Sequence, residues 1–390
     1  MGVPINYNLR NLLERRGTTL MTAFGIGLTV AVLVTSIAMT RGMAAVFAGS
    51  GHPMQVLVMR KGADAELNST LKEEVYQIVK QIPGIARNES GEPMASPEAQ
   101  TVVNLPSVEN PNGMDVTVRG LLPVGMKMRE TAKLKSGRWN EPGKREVVVG
   151  EGIAARYPAA RVGKQLRFGR GLWDVVGEFS DGESAANSEI WADLNQLRGD
   201  FEQQGGSNSV LVRLASPADI ASFEKAVAND QRLGASTMGE REYYKSLTKS
   251  SSGVMLQFIG FFVAVVMAVG AGFAATNTMY AAVARRAKEI GTLRALGFSR
   301  ASILISFVFE SVCLALIGGV IGCLIALPLN NMSAGIGNWQ TFSEMAFKFK
   351  VGPGAMLAGL LFAALIGALG GFLPAWAAAR KNVIMAMREM

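Results

Sequence analysis

Charged residues vanish from four windows of this chain, Gly17–Thr40, Ser250–Ala284, Ser311–Ser343 and Val351–Ala379. Each window is long enough for a helix rising about 1.5 Å per residue to cross about 30 Å of hydrocarbon, which takes about 20 apolar residues. We place the spans at 20–40, 254–279, 302–329 and 356–376. The fold class that follows is membrane α-helical, with four transmembrane helices split one plus three around a 41–253 insert. The remaining pieces are an N-terminal segment 1–19, a connection 280–301, a short extracytoplasmic loop 330–355 and a tail 377–390. With 49% hydrophobic and 18% charged residues, the composition also points to lipid.

The first span is expected to stay uncleaved. Its apolar run of about 20 residues exceeds the 7–15-residue core of a secretory signal, and no A-x-A site closes it. Ahead of it, Ile5, Leu9, Leu12 and Leu13 follow helical spacing, which fits an amphipathic helix on the cytoplasmic surface or a continuation of the span.

Net charge is +8, a value that in a soluble protein would raise the question of nucleic acid. Its location answers the question. The 41–253 segment holds 26 basic and 26 acidic residues, whereas 1–19, 280–301 and 377–390 together hold 11 basic residues against Glu14, Glu289 and Glu389. Positive charge beside spans marks the cytoplasmic side, so both termini and the 280–301 connection are expected there. Basicity reads as topology, and no nucleic acid partner is expected.

The 41–253 segment reads as a mixed α/β domain. Strands are expected at Met54–Met59, Asp115–Arg119, Glu146–Val149, Gln165–Phe168, Trp173–Glu178 and Ser209–Arg213, and helices at Ser69–Gln81 and Pro217–Ala228. Asn88–Asn112 is dense in Pro, Glu, Ser and Asn and reads as a long loop with one short strand. About 210 residues can bury a core, so this is a folded domain. Glu240–Ser252 is helix-compatible and would join the domain to the second span as one continuous helix.

Chemistry is sparse. No GxxxxGK[ST], GxSxG or HExxH motif is present, and the only histidine is His52. Cys313 and Cys323 stand ten residues apart in one span, about 15 Å along a helix, too far for a disulfide, and no metal site is expected. The sequons at Asn68 and Asn88 read as chance matches. Glu310 is the one acid well inside a span, either a proton relay or a group paired with Arg294, Arg300 or a neighbouring helix. Gly318 and Gly322 in the third span, and Gly359, Gly367 and Gly371 in the fourth, recur at multiples of four and make flat ridges for close helix packing.

The most informative stretch is the cytoplasmic run from Arg285 to Gly297. Ile290, Leu293 and Leu296 keep helical apolar spacing, and Arg285, Arg286, Lys288, Glu289 and Arg294 offer charge around Gly291 and Gly297. The run RRAKEIGTLRALGFSR resembles the cytoplasmic loop of FtsX-like permeases of ABC transporters, the group that includes MacB, LolC/LolE and FtsX. Pro374, Trp376 and Arg380, followed by Ile384 to Glu389, are similar to that family's closing motif, with Val383 and Met385 where its pattern has Pro and Glu. In the insert, Val147–Glu151, Gly163–Phe168 and Ser188–Ala192 resemble the family's MacB-like extracytoplasmic module.

The resemblance implies a permease subunit of the bacterial cytoplasmic (inner) membrane with a periplasmic or extracellular domain. It acts as a homodimer or paired permease and engages a separate ABC ATPase subunit through Arg285–Gly297. ATP and Mg belong to that partner, and no cofactor is expected on this chain. A periplasmic adaptor is a further implied partner. The implied action is mechanotransmission, ATP-driven motion passed to the outer domain for export or extraction of an envelope substrate. The alternative is an FtsX-type regulator of an extracytoplasmic enzyme such as a cell-wall hydrolase.

Overall fold

A computed structural model of the chain describes residues 16–108, 111–202, 206–248, 251–285, 290–292, 295–338 and 343–380. The chain divides into a membrane unit, Met1–Arg41 with Leu256–Met332 and Phe349–Met390, and an outer unit, Gly42–Met255 with Ser333–Lys348.

Among the described residues the membrane unit has four helices long and apolar enough to cross a bilayer, Leu20–Gly49, Phe258–Arg285, Arg300–Leu329 and Pro353–Arg380. The first belongs to a helix of 34 residues, Arg16–Gly49, or about 50 Å, so its end runs on past Arg41 into the outer unit. Ile26, Val30 and Val34 of the first helix, Ala315 and Cys323 of the third, and Ala355, Ala363 and Ile366 of the fourth share one buried cluster.

The glycines decide how closely these helices approach. A Cβ on Gly318 would lie 2.6 Å from the Ala23 carbonyl oxygen, and one on Gly322 would lie 2.4 Å from that of Gly27, so this ridge seats the first helix. Gly367 and Gly371 face the third helix, where a Cβ would meet Ala315 Cβ at 2.6 Å and Ser311 Cβ at 2.5 Å. Gly359 faces the first helix, with Val34 Cγ2 2.7 Å from its Cβ position. Lipid tails are as apolar as leucine, so close backbone contact rather than hydrophobic burial holds such helices together.

The outer unit is built on a ten-stranded sheet. Its strands are β1 (Gln55–Arg60), β3 (Ala95–Leu105), β4 (Met114–Leu121), β5 (Lys133–Gly137), β6 (Glu146–Gly150), β7 (Gln165–Phe168), β8 (Gly171–Ser180), β9 (Glu189–Asp193), β11 (Ser209–Arg213) and β12 (Ala235–Gly239). Their order is β12-β1-β11-β3-β4-β9-β6-β8-β5, with β7 paired to β8. Two short strands, β2 (Leu71–Lys72) and β10 (Gly206–Ser207), pair apart from it. The valine-rich runs form strands as expected. Helices Glu73–Val79 and Ala218–Asn229 pack Val75, Val79, Phe223 and Val227 against Val56, Val58, Val210 and Val212. A second core gathers Val116, Val118, Val147, Val149, Trp173 and Ile190.

Two expectations are corrected. Within Asn88–Asn112, expected as a long loop with one short strand, lies an eleven-residue strand, β3. It joins the two halves of the sheet: Ala95 to Glu98 pair with β11, and Ala99 to Leu105 pair with β4. Its polar residues misled because they point inward; Ser96, Glu98 and Gln100 are all buried. The helix expected over Ser69–Gln81 starts only at Glu73, after β2 has used Leu71 and Lys72 in pairing. The helix Glu240–Thr248 forms, but Lys249 and Ser250, where continuity with the second span would be decided, lie outside the described residues.

The stretch 330–355, read only as a short loop, contains an antiparallel hairpin, β13 (Ser333–Asn338) with β14 (Ser343–Lys348), that belongs to the outer unit. Its first strand, Ser-Ala-Gly-Ile-Gly-Asn, carries little strand propensity, so its neighbours rather than its own residues specify it.

Candidate functional site

Within the membrane unit, the described part of the Arg285–Gly297 run is anchored at one point and open at another. Ile290 is buried with Met279 and Val283 of the second helix, Ile303 and Phe307 of the third, and Ala375 and Ala378 of the fourth. Gly291 is buried beside it. Leu296, by contrast, is 70% exposed. Its N–H donates to the Thr292 carbonyl at 2.9 Å, and Gly297 follows at φ +92, the left-handed geometry with which glycine ends a helical turn. Two residues later the Ser299 hydroxyl accepts from Ser302 N–H at 3.1 Å and caps the third helix. The sequence Leu-Gly-Phe-Ser thus stops one helix and starts the next, holding an exposed leucine at the corner. Arg285 is exposed at the end of the second helix. Arg286, Lys288, Glu289, Leu293 and Arg294 lie outside the described residues.

The closing motif sits in the last turns of the fourth helix. Pro374 is buried inside that helix and has no N–H to offer the Gly370 carbonyl four residues back. Thr276 of the second helix supplies the donor: its hydroxyl stands 2.9 Å from Gly370 O and 2.8 Å from Gly272 O. Arg380 lies over the Trp376 ring, 3.9 Å from its centroid. Glu310 is buried in the third helix, next to Ser311, whose hydroxyl donates to Gly367 O at 2.7 Å.

The outer unit contains a cluster that the sequence reading missed. Arg119, on β4, is buried and uses all five of its N–H donors. It bonds both Glu66 oxygens at 2.9 Å, both Glu189 oxygens at 2.8 and 2.9 Å, and Glu98 Oε2 at 2.8 Å. Arg129 binds Glu98 through two bonds of 2.8 Å. Ser209 donates to Glu66, and the Trp191 indole donates to Glu189. Glu98 sits where β3 passes from β11 to β4, so the network ties the two halves of the sheet together.

Burial alone would push the Glu189 carboxyl up, but the charge and hydrogen bonds of Arg119, with the charge of Arg129, outweigh it and hold it below the usual range. Burial likewise works against the Arg119 cation, and Glu189, Glu66 and Glu98 reverse that to raise it. Glu240 differs: burial dominates, and its carboxyl is pushed up to about 7. It accepts the His52 backbone N–H at 2.7 Å.

This region is also where segments flanking the spans meet inside the outer unit. Phe47, from the end of the first long helix, packs with Tyr243 and Leu247 of Glu240–Thr248 and with Met345 of β14. Glu344 of β14 is buried against Arg156, and Tyr157 Oη donates to its second oxygen at 2.6 Å. The Ala346 N–H donates to Ser188 Oγ at 2.8 Å. Gly335 stands beside this pair, with no room for a side chain. The only available hint was charge in unusual places, an arginine ending a valine-rich strand and an acid in the short stretch between two spans.

The FtsX-like permease C-terminal family matches residues 261–383, and the MacB-like periplasmic core domain matches residues 19–230. The chain is 24% identical to the uncharacterized ABC transporter permease YknZ of Bacillus subtilis, over 98% of both chains. It is 25% identical to the macrolide export ATP-binding/permease protein MacB of Neisseria gonorrhoeae, over 58% of this chain and 35% of that one. Similar solved structures include the extracellular domain of YknZ from Gram-positive bacteria, at 18% identity and a TM-score of 0.36, covering 47% of this chain and 99% of that one. Another is the periplasmic region of MacB from Actinobacillus actinomycetemcomitans, at 14% identity and a TM-score of 0.38, covering 52% and 96%. The two family models together span most of the chain, and the chain belongs to the MacB/FtsX-type permeases of ABC transporters.

Proposed function

We propose that this permease couples ATP hydrolysis by a separate ATPase subunit to movement of its outer domain, exporting or extracting an envelope substrate by mechanotransmission. The observation that carries the reading is Leu296, an exposed apolar side chain on a tight capped turn whose other end, Ile290, is rooted among three spanning helices. A partner that pushes on Leu296 acts on packed helices rather than on a loose loop. The outer unit follows directly from the first helix, ends on Glu240–Thr248 just before the second, and takes in the hairpin between the third and fourth. Helix movement therefore has four chain connections through which to reach it, two of them at the ends of the hairpin. Basic residues flanking the spans support cytosolic termini.

A homodimer or paired permease is part of this reading. The second spanning helix is only 17% buried, against 33–44% for the others, and exposes Gly270, Ala274 and Asn277 on one face. Small residues with a polar neighbour suit a helix from another copy.

Leu296→Asp is the direct test. The variant should insert and fold as wild type yet lose co-purification with the ATPase and stimulation of its ATP hydrolysis. A complex and hydrolysis rate unchanged from wild type would sink the coupling assignment.

A further inference from the structure

Two segments that lead into spans touch inside the outer unit. The first long helix closes at Gly49, and the Ser50 hydroxyl donates to the Val46 carbonyl at 2.7 Å and accepts the Ala185 N–H at 2.9 Å. Gly51 then turns the chain at φ +80, and a Cβ there would stand 3.0 Å from both the Glu240 carbonyl carbon and the Arg241 nitrogen. Those two residues open the helix Glu240–Thr248, which precedes the second span. Three contacts close this clasp: backbone on backbone at Gly51, Arg241 Nε donating to the Gly51 carbonyl at 3.3 Å, and the His52 N–H donating to Glu240 Oε2 at 2.7 Å.

The third contact differs chemically from the other two. Glu240 is only 5% exposed, and its carboxyl has no ion pair among the described residues. Arg129 acts on it with opposite charge but spends its own carboxylate bonds on Glu98, and Arg119 spends all five donors on Glu66, Glu98 and Glu189. Glu98 and Glu66 act on Glu240 with like charge. On the facing turn, burial and then the charge of Arg213 hold the His52 ring below its usual range, against the pull of Glu130, and its Nδ1 accepts the Met54 N–H at 3.2 Å. On its own helix, Arg241 and Glu242 are exposed, Tyr243 Oη accepts the Glu66 N–H, and burial holds the Tyr244 phenol above its usual range. A carboxyl shut from water without a paired cation favours its neutral form, and burial pushes Glu240 up to about 7. Opening returns the carboxyl to water and to its ordinary value of 4.5, so the open form releases the proton more readily.

We infer that the contact of Gly51 and His52 with Glu240 and Arg241 is a proton-responsive clasp between the two membrane-leading segments, tight when the Glu240 carboxyl is protonated and loosened when it ionises. The outer unit is extracytoplasmic, so the proton comes from the surroundings of the cell. The clasp lies wholly within that unit and would stand if no ATPase engaged the chain.

The test follows hydrogen–deuterium exchange of single amides in the full chain in detergent micelles, corrected for the intrinsic exchange rate at each pH. The His52 amide exchanges only after its bond to Glu240 breaks. With values of about 7 closed and 4.5 open, its protection should fall about tenfold from pH 6 to pH 8.5. The Gly91 amide, which closes an exposed turn on the Asn88 carbonyl, should keep constant protection. Glu240→Gln, which cannot ionise, should make the His52 protection equal at both pH values. Equal protection of His52 in wild type, an equal fall at Gly91, or an undiminished fall in Glu240→Gln would each overturn the proposal. So would a His52 amide as protected as those of β3, because it would then open only with the whole unit. The wild-type comparison decides the matter even if the variant fails to fold.

Discussion

The two units of this permease achieve close packing by opposite means. In the membrane unit, helices meet where side chains are missing: Gly318 and Gly322 seat the first helix, and Gly367 and Gly371 seat the third. Polar links among its described helices include single hydroxyls, Thr22 with Thr278, Thr276 to Gly370 and Ser311 to Gly367. In the outer unit the joint between sheet halves is filled with charge, two arginines among Glu66, Glu98 and Glu189. The difference follows from the solvent of the competing state. Separated helices remain in lipid and gain nothing from apolar burial, so contact distance decides. A sheet domain competes with water, where apolar burial supplies stability and a fully satisfied ionic centre fixes how two cores meet.

The contrast can be broken most directly at Arg119. Arg119→Met leaves three buried carboxylates without their shared cation and should cost about 3–5 kcal/mol. In denaturant, the tryptophan signal of the outer unit should then shift to a lower midpoint while the far-ultraviolet signal of the spanning helices holds. Simultaneous loss of both would show that the units are not separable in stability.

A somewhat smaller and pH-dependent effect is expected at Glu240. Its folded carboxyl titrates near 7 against an ordinary value of 4.5, so folding favours the protonated form. Below about 4.5 both states are protonated and there is no penalty. Between about 4.5 and 7 the unfolded state ionises first and stability falls, by about 3 kcal/mol in all, before levelling off. Glu240→Gln should therefore raise the outer unit's melting temperature at pH 8 and leave it unchanged at pH 4. An equal gain at both would refute the assignment.

Gly367→Leu should destabilise helix packing by about 1–3 kcal/mol, since a Cβ would already stand 2.6 Å from that of Ala315. Gly270→Leu, where a Cβ meets open space within the chain, is the control. In the monomeric chain it should leave helix packing untouched, as judged by resistance to dodecyl sulfate unfolding. The smallest effect belongs to Thr276→Val, about 0.6 kcal/mol by the same assay, because the freed Gly370 carbonyl loses one hydroxyl. A loss as large as that of Gly367→Leu would mean that hydroxyl bonds, not glycine contacts, dominate this unit.

Much of the fold was legible because the signals are local. The spans follow from runs without charge, since lipid penalises an ionised side chain wherever it falls. Valine-rich strands such as Glu146–Gly150 and Ser209–Arg213 also declared themselves. The candidate site was half legible. The corner residues stand in a recognisable motif, but nothing near Arg119 in the chain announces Glu66, Glu98 or Glu189, which lie 53, 21 and 70 positions away.

Sequence by itself determined the one-plus-three arrangement and the α/β character of the insert, because each depends on what a residue prefers as its surroundings. Only the tertiary structure decided that Ala95–Leu105 is a strand, that the Ser333–Lys348 hairpin belongs to the outer unit, and which glycine ridge faces which helix. Those outcomes turn on partners remote in the chain. A buried glutamate reads as loop until its arginine arrives, and a glycine ridge has no direction until a neighbouring helix fills it.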